Sequence, residues 1–342
     1  MAPSATTTLS ARARRSAATE FDTPAEEDIT GESTGDPTTY ADDDRQVNQQ
    51  SPHEERSRTV IEPDGYPELV DPLLIAAFEG WNDAGDAATS AVEHLEDVWG
   101  AELLTEMDSE DYYDYQVNRP MVAMSDEGWR QVSWPTTRVS FARLPDVGRD
   151  IVLVRGIEPN MRWKQFTGEI LGVCHELGVE MVVTLGALLA DSPHTRPVPV
   201  TGTSSDEGVA RSLHLEPSRY EGPTGIVGVV QDACTRAGVP ALSIWAAVPH
   251  YVAQPPCPKA TLALLRHIED LLDVPIPLGE LPEDARAWER GVDDLAAEDS
   301  EVADYVRSLE EAKDLTDAPE ASGDAIAREF ERYLRRRGDD PR

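Results

Sequence analysis

The stretch LLIAAFEGWNDAGDAATSAVEHLEDV, residues 73–98, sets the reading of the whole chain. Its opening run, Leu73–Phe78, is apolar without alternation, as expected of a strand buried on both faces. Glu79-Gly80 ends the run. Ala84 to Val98 then places apolar residues at helical spacing. A strand, a short polar loop and a helix in that order form one unit of an α/β fold.

The unit recurs outward from there. Ile151–Val154 reads as a second buried strand, ending at Arg155-Gly156, and Asn160–Leu177 as a helix with Trp163, Phe166, Ile170, Val173 and Leu177 at steps of three and four. Gly178 is a helix stop. Met181–Leu185 is a third strand. Ile226–Ala237, closed by Gly238, is a helix, Ala241–Ala247 a fourth strand, and Lys259–Leu272 another helix. Residues 100–145 differ. Their short runs, Leu103-Leu104, Met121–Met124, Gln131–Trp134 and Arg138–Phe141, predict strands or hairpins that extend the sheet. The expected fold class is α/β, a three-layer α/β/α sandwich with a mainly parallel sheet.

The expected organisation has three parts. Residues 1–60 hold 6 bases, 12 acids and few large apolar side chains, and are read as a disordered acidic segment. Residues 61–277 form the α/β core. Residues 278–342 hold 10 bases and 20 acids and are read as an acidic helical extension. In it, Val302, Tyr305, Val306 and Leu309 share one helical face, and Ile326, Phe330, Tyr333 and Leu334 another. The acidic run Glu280–Asp304 is read as a solvated face.

Over 342 residues, 65 Asp and Glu against 30 Lys and Arg give a formal charge of −35. That balance argues against nucleic-acid backbones and anionic membrane faces as partners. The longest apolar stretch, Met181 to Ala190, is about half of the ~20 residues a membrane-spanning helix needs. The three cysteines, Cys174, Cys234 and Cys257, make no C-x-x-C pair, so neither a disulfide framework nor a cysteine zinc site is expected. With no apolar segment after Arg12, Arg14 and Arg15, no secretory signal is read there and the cytoplasm is the expected location.

Ligands of open parallel sheets bind beyond the carboxyl ends of the strands. The loops expected there nominate Glu79, Gly80, Trp81, Asn82, Asp83, Arg155, Glu158, Gly186, His194, Arg196, Tyr220, Thr224 and His250 as a cleft. Helix-start amides with Arg155 or Arg196 would suit an anion. Glu158, Asp83 or His250 would be the proton-transfer groups. Turn and capping chemistry accounts for the same residues, with Asn82-Asp83 capping a helix. Asp191 and His194 have D-x-x-H spacing, but no second ligand pair accompanies them, so neither metal nor cofactor is expected. There is no phosphate loop and no nucleophile elbow.

Together, Gly80-Trp81-Asn82-Asp83-Ala84-Gly85, Arg155-Gly156-x-Glu158-Pro159-Asn160 with Trp163, Leu185-Gly186-Ala187, Gly222-Pro223-Thr224-Gly225-Ile226 and Pro249-His250-Tyr251 resemble the proteasome assembly chaperone two-like family, and most its long actinobacterial branch. The resemblance covers roughly residues 70–275. It implies an α/β/α sandwich akin to the nucleoside phosphorylase fold, in a soluble homo-oligomer such as a trimer. Eukaryotic relatives help to assemble proteasome α-rings, so the resemblance implies a proteasome subunit as partner. It carries no agreed catalytic set. The favoured reading is therefore action through protein–protein interaction, which requires an exposed apolar patch. The alternative is a small-molecule enzyme or sensor that binds an anionic ligand, which requires the nominated side chains to converge on one pocket.

Overall fold

The structure, a computed structural model, describes residues 65–125, 128–204, 206–213, 215 and 220–317. The second tail pattern, Ile326 to Leu334, and the segment 1–60 lie outside these residues.

The apolar runs become strands and meet in one seven-stranded sheet. β1 (Leu73–Glu79) lies at its centre, between β6 (Arg149–Ile157) and β7 (Met181–Ala190), and pairs with both in parallel. β9 (Ala241–Pro249) follows β7, also parallel. Antiparallel strands finish the sheet at both sides. β5 (Thr137–Leu144) pairs with β6, and β2 (Glu102–Glu106) with β5. On the other side β8 (Val200–Thr203) pairs with β9. The mainly parallel, doubly covered sheet expected from the sequence is present.

Alternation along β1 builds two cores. Leu73, Ile75 and Ala77 pack with α1 (Ala87–Val98) and α6 (Pro258–Leu272). Leu74, Ala76 and Phe78 pack with α3 (Trp163–Leu177) and α5 (Ile226–Ala237). A sheet whose every side chain meets a helix layer must be apolar throughout, and β1 is buried at every position but Glu79. α3 and α5 end on Gly178 and Gly238 in the left-handed conformation, as their sequences predict.

Several boundaries differ from the sequence expectation. The first helix starts at Ala87 rather than Ala84, because Ala84–Asp86 make a 3-10 turn and Asp86 is left-handed. β6 and β7 run past the predicted turns, so Arg155 and Gly186 are strand residues and not loop residues. Thr201 and Gly202 belong to β8. A short helix, α2 (Ser109–Tyr112), interrupts the region expected to be strands. β3 (Met121–Met124) and β4 (Arg130–Ser133) do form a hairpin, but it is a separate two-stranded sheet and does not extend the main one. α4 (Glu207–Ser212) follows β8, with Asp206 accepting the amides of Gly208 and Val209.

The acidic run 280–304 is more than a solvated face. α7 (Leu281–Glu298) packs on α6 and buries Ala285, Val292 and Ala296. α8 (Ser300–Asp317) packs on α7 and buries Val306 from the face that the sequence identified. A single extended residue, Asp299, joins the two helices.

Candidate functional site

Parallel pairing brings the carboxyl ends of β1, β6 and β7 to one edge. The Glu158 amide donates to the Glu79 carbonyl (2.9 Å), and the Ala187 amide to the Asn82 carbonyl (2.8 Å). Asn82 is thereby drawn inside, 2% exposed. Its Nδ2 donates to Glu158 Oε1 at 2.8 Å, and the amide of Ile226 donates to the same oxygen at 2.8 Å. Glu158 is thus a cap for α5 supplied from a loop 68 residues away, with Asn82 steering it. Gly225 makes room for this arrangement: a Cβ there would lie 2.3 Å from the Asn82 amide atoms.

Asp83 is also buried, and it serves α1. Its carboxylate accepts the amides of Ala88 (2.6 Å) and Thr89 (3.1 Å) and the Thr89 hydroxyl. Burial pushes its pKa up, with those three donors pulling the other way. This placement makes Asp83 a structural carboxylate. The capping role foreseen for the Asn82-Asp83 pair falls to Asp83, through amides five and six residues on.

Arg155 and Glu79 share the α1 face of the sheet. Arg155 Nε donates to Glu96 Oε2 at 2.8 Å, and Nη1 stands 3.3 Å from Glu93 Oε1. Glu96 also accepts the Ser140 hydroxyl. Desolvation raises the Glu79 pKa, Asp86 adds to the rise and Arg155 offsets part of it. Gly186 lies under Trp245, where a Cβ would come within 2.6 Å of the indole ring.

The remaining nominees face the C-terminal helices. His194, 2% exposed, accepts or donates at Nδ1 to the Tyr251 hydroxyl (2.8 Å) and at Nε2 to Asp293 Oδ1 (3.0 Å). Lys259 Nζ donates to the His194 carbonyl and to Glu289 Oε2 (2.6 Å). Arg196 grips α8 through Asp314, with two bonds of 2.8 Å, and through Glu310 at 3.2 Å. His250 Nδ1 and the Tyr305 hydroxyl both approach Asp191 Oδ1, at 3.3 and 3.1 Å. The rings of His250, Tyr251 and Tyr305 stack edgewise. The hydrogen bond from Arg196 holds the Asp314 carboxyl below its ordinary value.

The thirteen nominated residues therefore divide among separate settings. Asn82 and Glu158 meet at the start of α5, and Asp83 binds α1. Glu79 and Arg155 face α1 as well. His194, Arg196 and His250 bind the tail helices. Gly80 takes a left-handed φ of +112° at the turn after β1. Trp81 (64% exposed), Tyr220 (66%) and Thr224 lie at the surface, with the Tyr220 hydroxyl donating to the Pro223 carbonyl. Both nominated arginines are already ion-paired within the chain. Asp293, Glu310 and Asp314 were not nominated, and their sequence context carries no signal for it: each meets a loop some 100 residues away.

Two further features bear on chemistry. Cys174, Cys234 and Cys257 are all buried thiols, and burial pushes the first two up to about 12 and about 11. The β3–β4 hairpin, in contrast, is open on both faces. Met121 (67% exposed) lies on one face and Val122 and Met124 on the other; Val122 opposes exposed Val132, and Trp129 is 72% exposed. Among the described residues no three His, Cys, Asp or Glu side chains are grouped to hold a metal, and no helix is long and apolar enough to cross a membrane.

Comparison with known proteins gives consistent matches. The sequence model of the PAC2 family matches residues 77–296. A PAC2 family protein from Streptomyces avermitilis is 65% identical, with a TM-score of 0.66, over 69% of this chain and 100% of that one. A proteasome-assembly chaperone homologue from Mycobacterium tuberculosis is 57% identical, with a TM-score of 0.63, over 68% and 99%. A protein of unknown function from Corynebacterium glutamicum is 27% identical, with a TM-score of 0.67, over 75% and 96%. No curated protein matches the chain.

Proposed function

The chain belongs to the PAC2 family, and on that premise we propose that it acts through protein–protein interaction, as an assembly chaperone for a proteasome subunit. The same reading puts it in the cytoplasm, as a homo-oligomer. The observation that carries it is the β3–β4 hairpin. A two-stranded hairpin alone is marginally stable in water, and apolar patches of this kind mark interaction sites. Here Met121, Met124, Trp129 and Trp134 are all exposed. Trp81 and Tyr220 add exposed rings at the carboxyl edge of the sheet. The description of the Mycobacterium tuberculosis relative supports the choice of partner.

The anionic-ligand alternative draws less support. Arg155 and Arg196 spend their guanidinium groups on Glu93, Glu96, Glu310 and Asp314, and the proton-transfer candidates point into three settings.

The test is native mass spectrometry of the full chain mixed with purified proteasome α-subunits from its own host. The expected result is a defined complex that disappears in Met121→Ser/Trp129→Ser, a variant with unchanged melting. No complex with either protein, or an undiminished complex with the variant, sinks this reading.

A further inference from the structure

A groove of about 460 Å³ lies between α6, α7 and the chain that leads into β8. That volume falls within the range of small-molecule sites. Each helix lines it with one stripe at steps of three and four, Lys259, Leu262 and Arg266 from α6 and Pro282, Arg286 and Glu289 from α7. Val198 and Val200 form a third, apolar wall.

The charge of this lining runs against that of the chain. Three cations and one carboxylate face the groove, in a chain of net charge −35. Lys259 Nζ and Glu289 Oε2, 2.6 Å apart, neutralise each other at one end. The two arginines are left over. Measured from that pair, Arg286 stands three residues along α7, about 4.5 Å, and Arg266 seven along α6, about 10 Å. Arg266 is exposed and makes no hydrogen bond or ion pair among the described residues. Arg286 stands 3.8 Å from Glu283, and both side chains are largely in water, where such a pair contributes little. Glu283 and Asp284 are exposed and do not line the groove. Arg155 and Arg196, by contrast, are held by carboxylates of their own.

These features select an occupant. A guanidinium fork matches a carboxylate or a phosphate ester. The lining also offers apolar surface, with Leu262 and Ala285 buried in its walls. An acidic protein or a polyanion would meet the negative charge of the rest of the chain, whereas a small molecule with one anionic head brings only the charge that the two arginines neutralise. We propose that this groove binds a small amphiphile, with a single carboxylate or phosphate-ester head on a short apolar body. Arg266 and Arg286 hold the head, and the body lies along Leu262, Ala285 and Val198. The site shares no residue with the β3–β4 hairpin, so it stands or falls separately from partner binding there.

Isothermal titration of the full chain with octanoate and with octyl phosphate, at fixed ionic strength and below micelle formation, tests this. Saturable binding of one molecule per chain is expected for at least one of them, and the tighter of the two assigns the head. Octanol lacks the head and acetate lacks the body, and each should bind at least ~10-fold more weakly. Arg266→Gln and Arg286→Gln should each weaken the amphiphile about 10-fold or more, the effect of losing a charge-assisted bond, with unchanged melting because both side chains are exposed. Arg290→Gln removes the same charge from an exposed position of α7 outside the groove and should leave the affinity intact. Binding of neither amphiphile overturns the proposal, as does octanol binding as tightly as they do. Affinity that survives both groove substitutions also overturns it, as does an equal loss in Arg290→Gln, which would reduce the effect to net charge.

Discussion

Asn82 and Asp83 are buried polar residues and Glu158 is half-buried, and their cost of removal follows from their partners. Glu158→Ala would strand the Asn82 amide and the first amide of α5 at once. Leaving buried donors unpaired costs about 1–3 kcal/mol, so a loss in that range is expected by chemical denaturation. Asn82→Ala should cost about as much, which separates a structural amide from a ligand contact whose loss leaves stability intact. Gly225→Ala presses a methyl group into Asn82, and overpacking of this kind costs about 1–3 kcal/mol. The raised Asp83 pKa carries a definite sign. A carboxyl whose folded value exceeds its unfolded value weakens the fold as pH rises through that interval, so Asp83→Asn should flatten the stability profile on the alkaline side of 3.8.

Among elements, α8 is held to the core by polar contacts around Arg196 and by buried Val306. Arg196→Ala should speed amide exchange across residues 300–317 and leave the exchange of β1 and β7 unchanged. Acid should do the same to the wild type. The Asp314 carboxyl lies below its ordinary 3.8, so its contribution is present above 3.8 and lost as pH falls through the folded value. This element also marks where sequence reading reaches its limit. Leu73–Phe78, Gly178 and Gly238 declare strand and helix ends through local chemistry, and the core was legible from them. The grip of Arg196 on Glu310 and Asp314 depends on a fold-back of more than 100 residues, which no local pattern encodes. Arg155 and Gly186 were misplaced for a related reason: pairing with a central neighbour extends a strand past residues that look like turns. Met121–Met124 was recognised as a strand, but its apolar side chains suggested the sheet, and only the pairing with β4 alone shows that they face outward.

At the scale of the whole molecule, an acidic chain exposes an apolar hairpin. The chain is strongly acidic, yet the hairpin carries Met121, Val122, Met124, Trp129 and Val132 into solvent. Partner binding through this surface should therefore change little with salt. Substituting Trp129 and Met121 by serine is expected to shift stability by no more than about 0.5 kcal/mol, since neither side chain packs on the core. A differential scanning profile superimposable on the wild type would confirm that any lost binding is a surface effect. The three buried sulfurs give this surface a practical handle. All of the chain's thiols are shielded from solvent and held protonated, so they stay silent toward alkylating dyes. Val122→Cys would then be the sole reactive sulfur in each copy, and a fluorophore attached there would report contact at the hairpin with one label per chain.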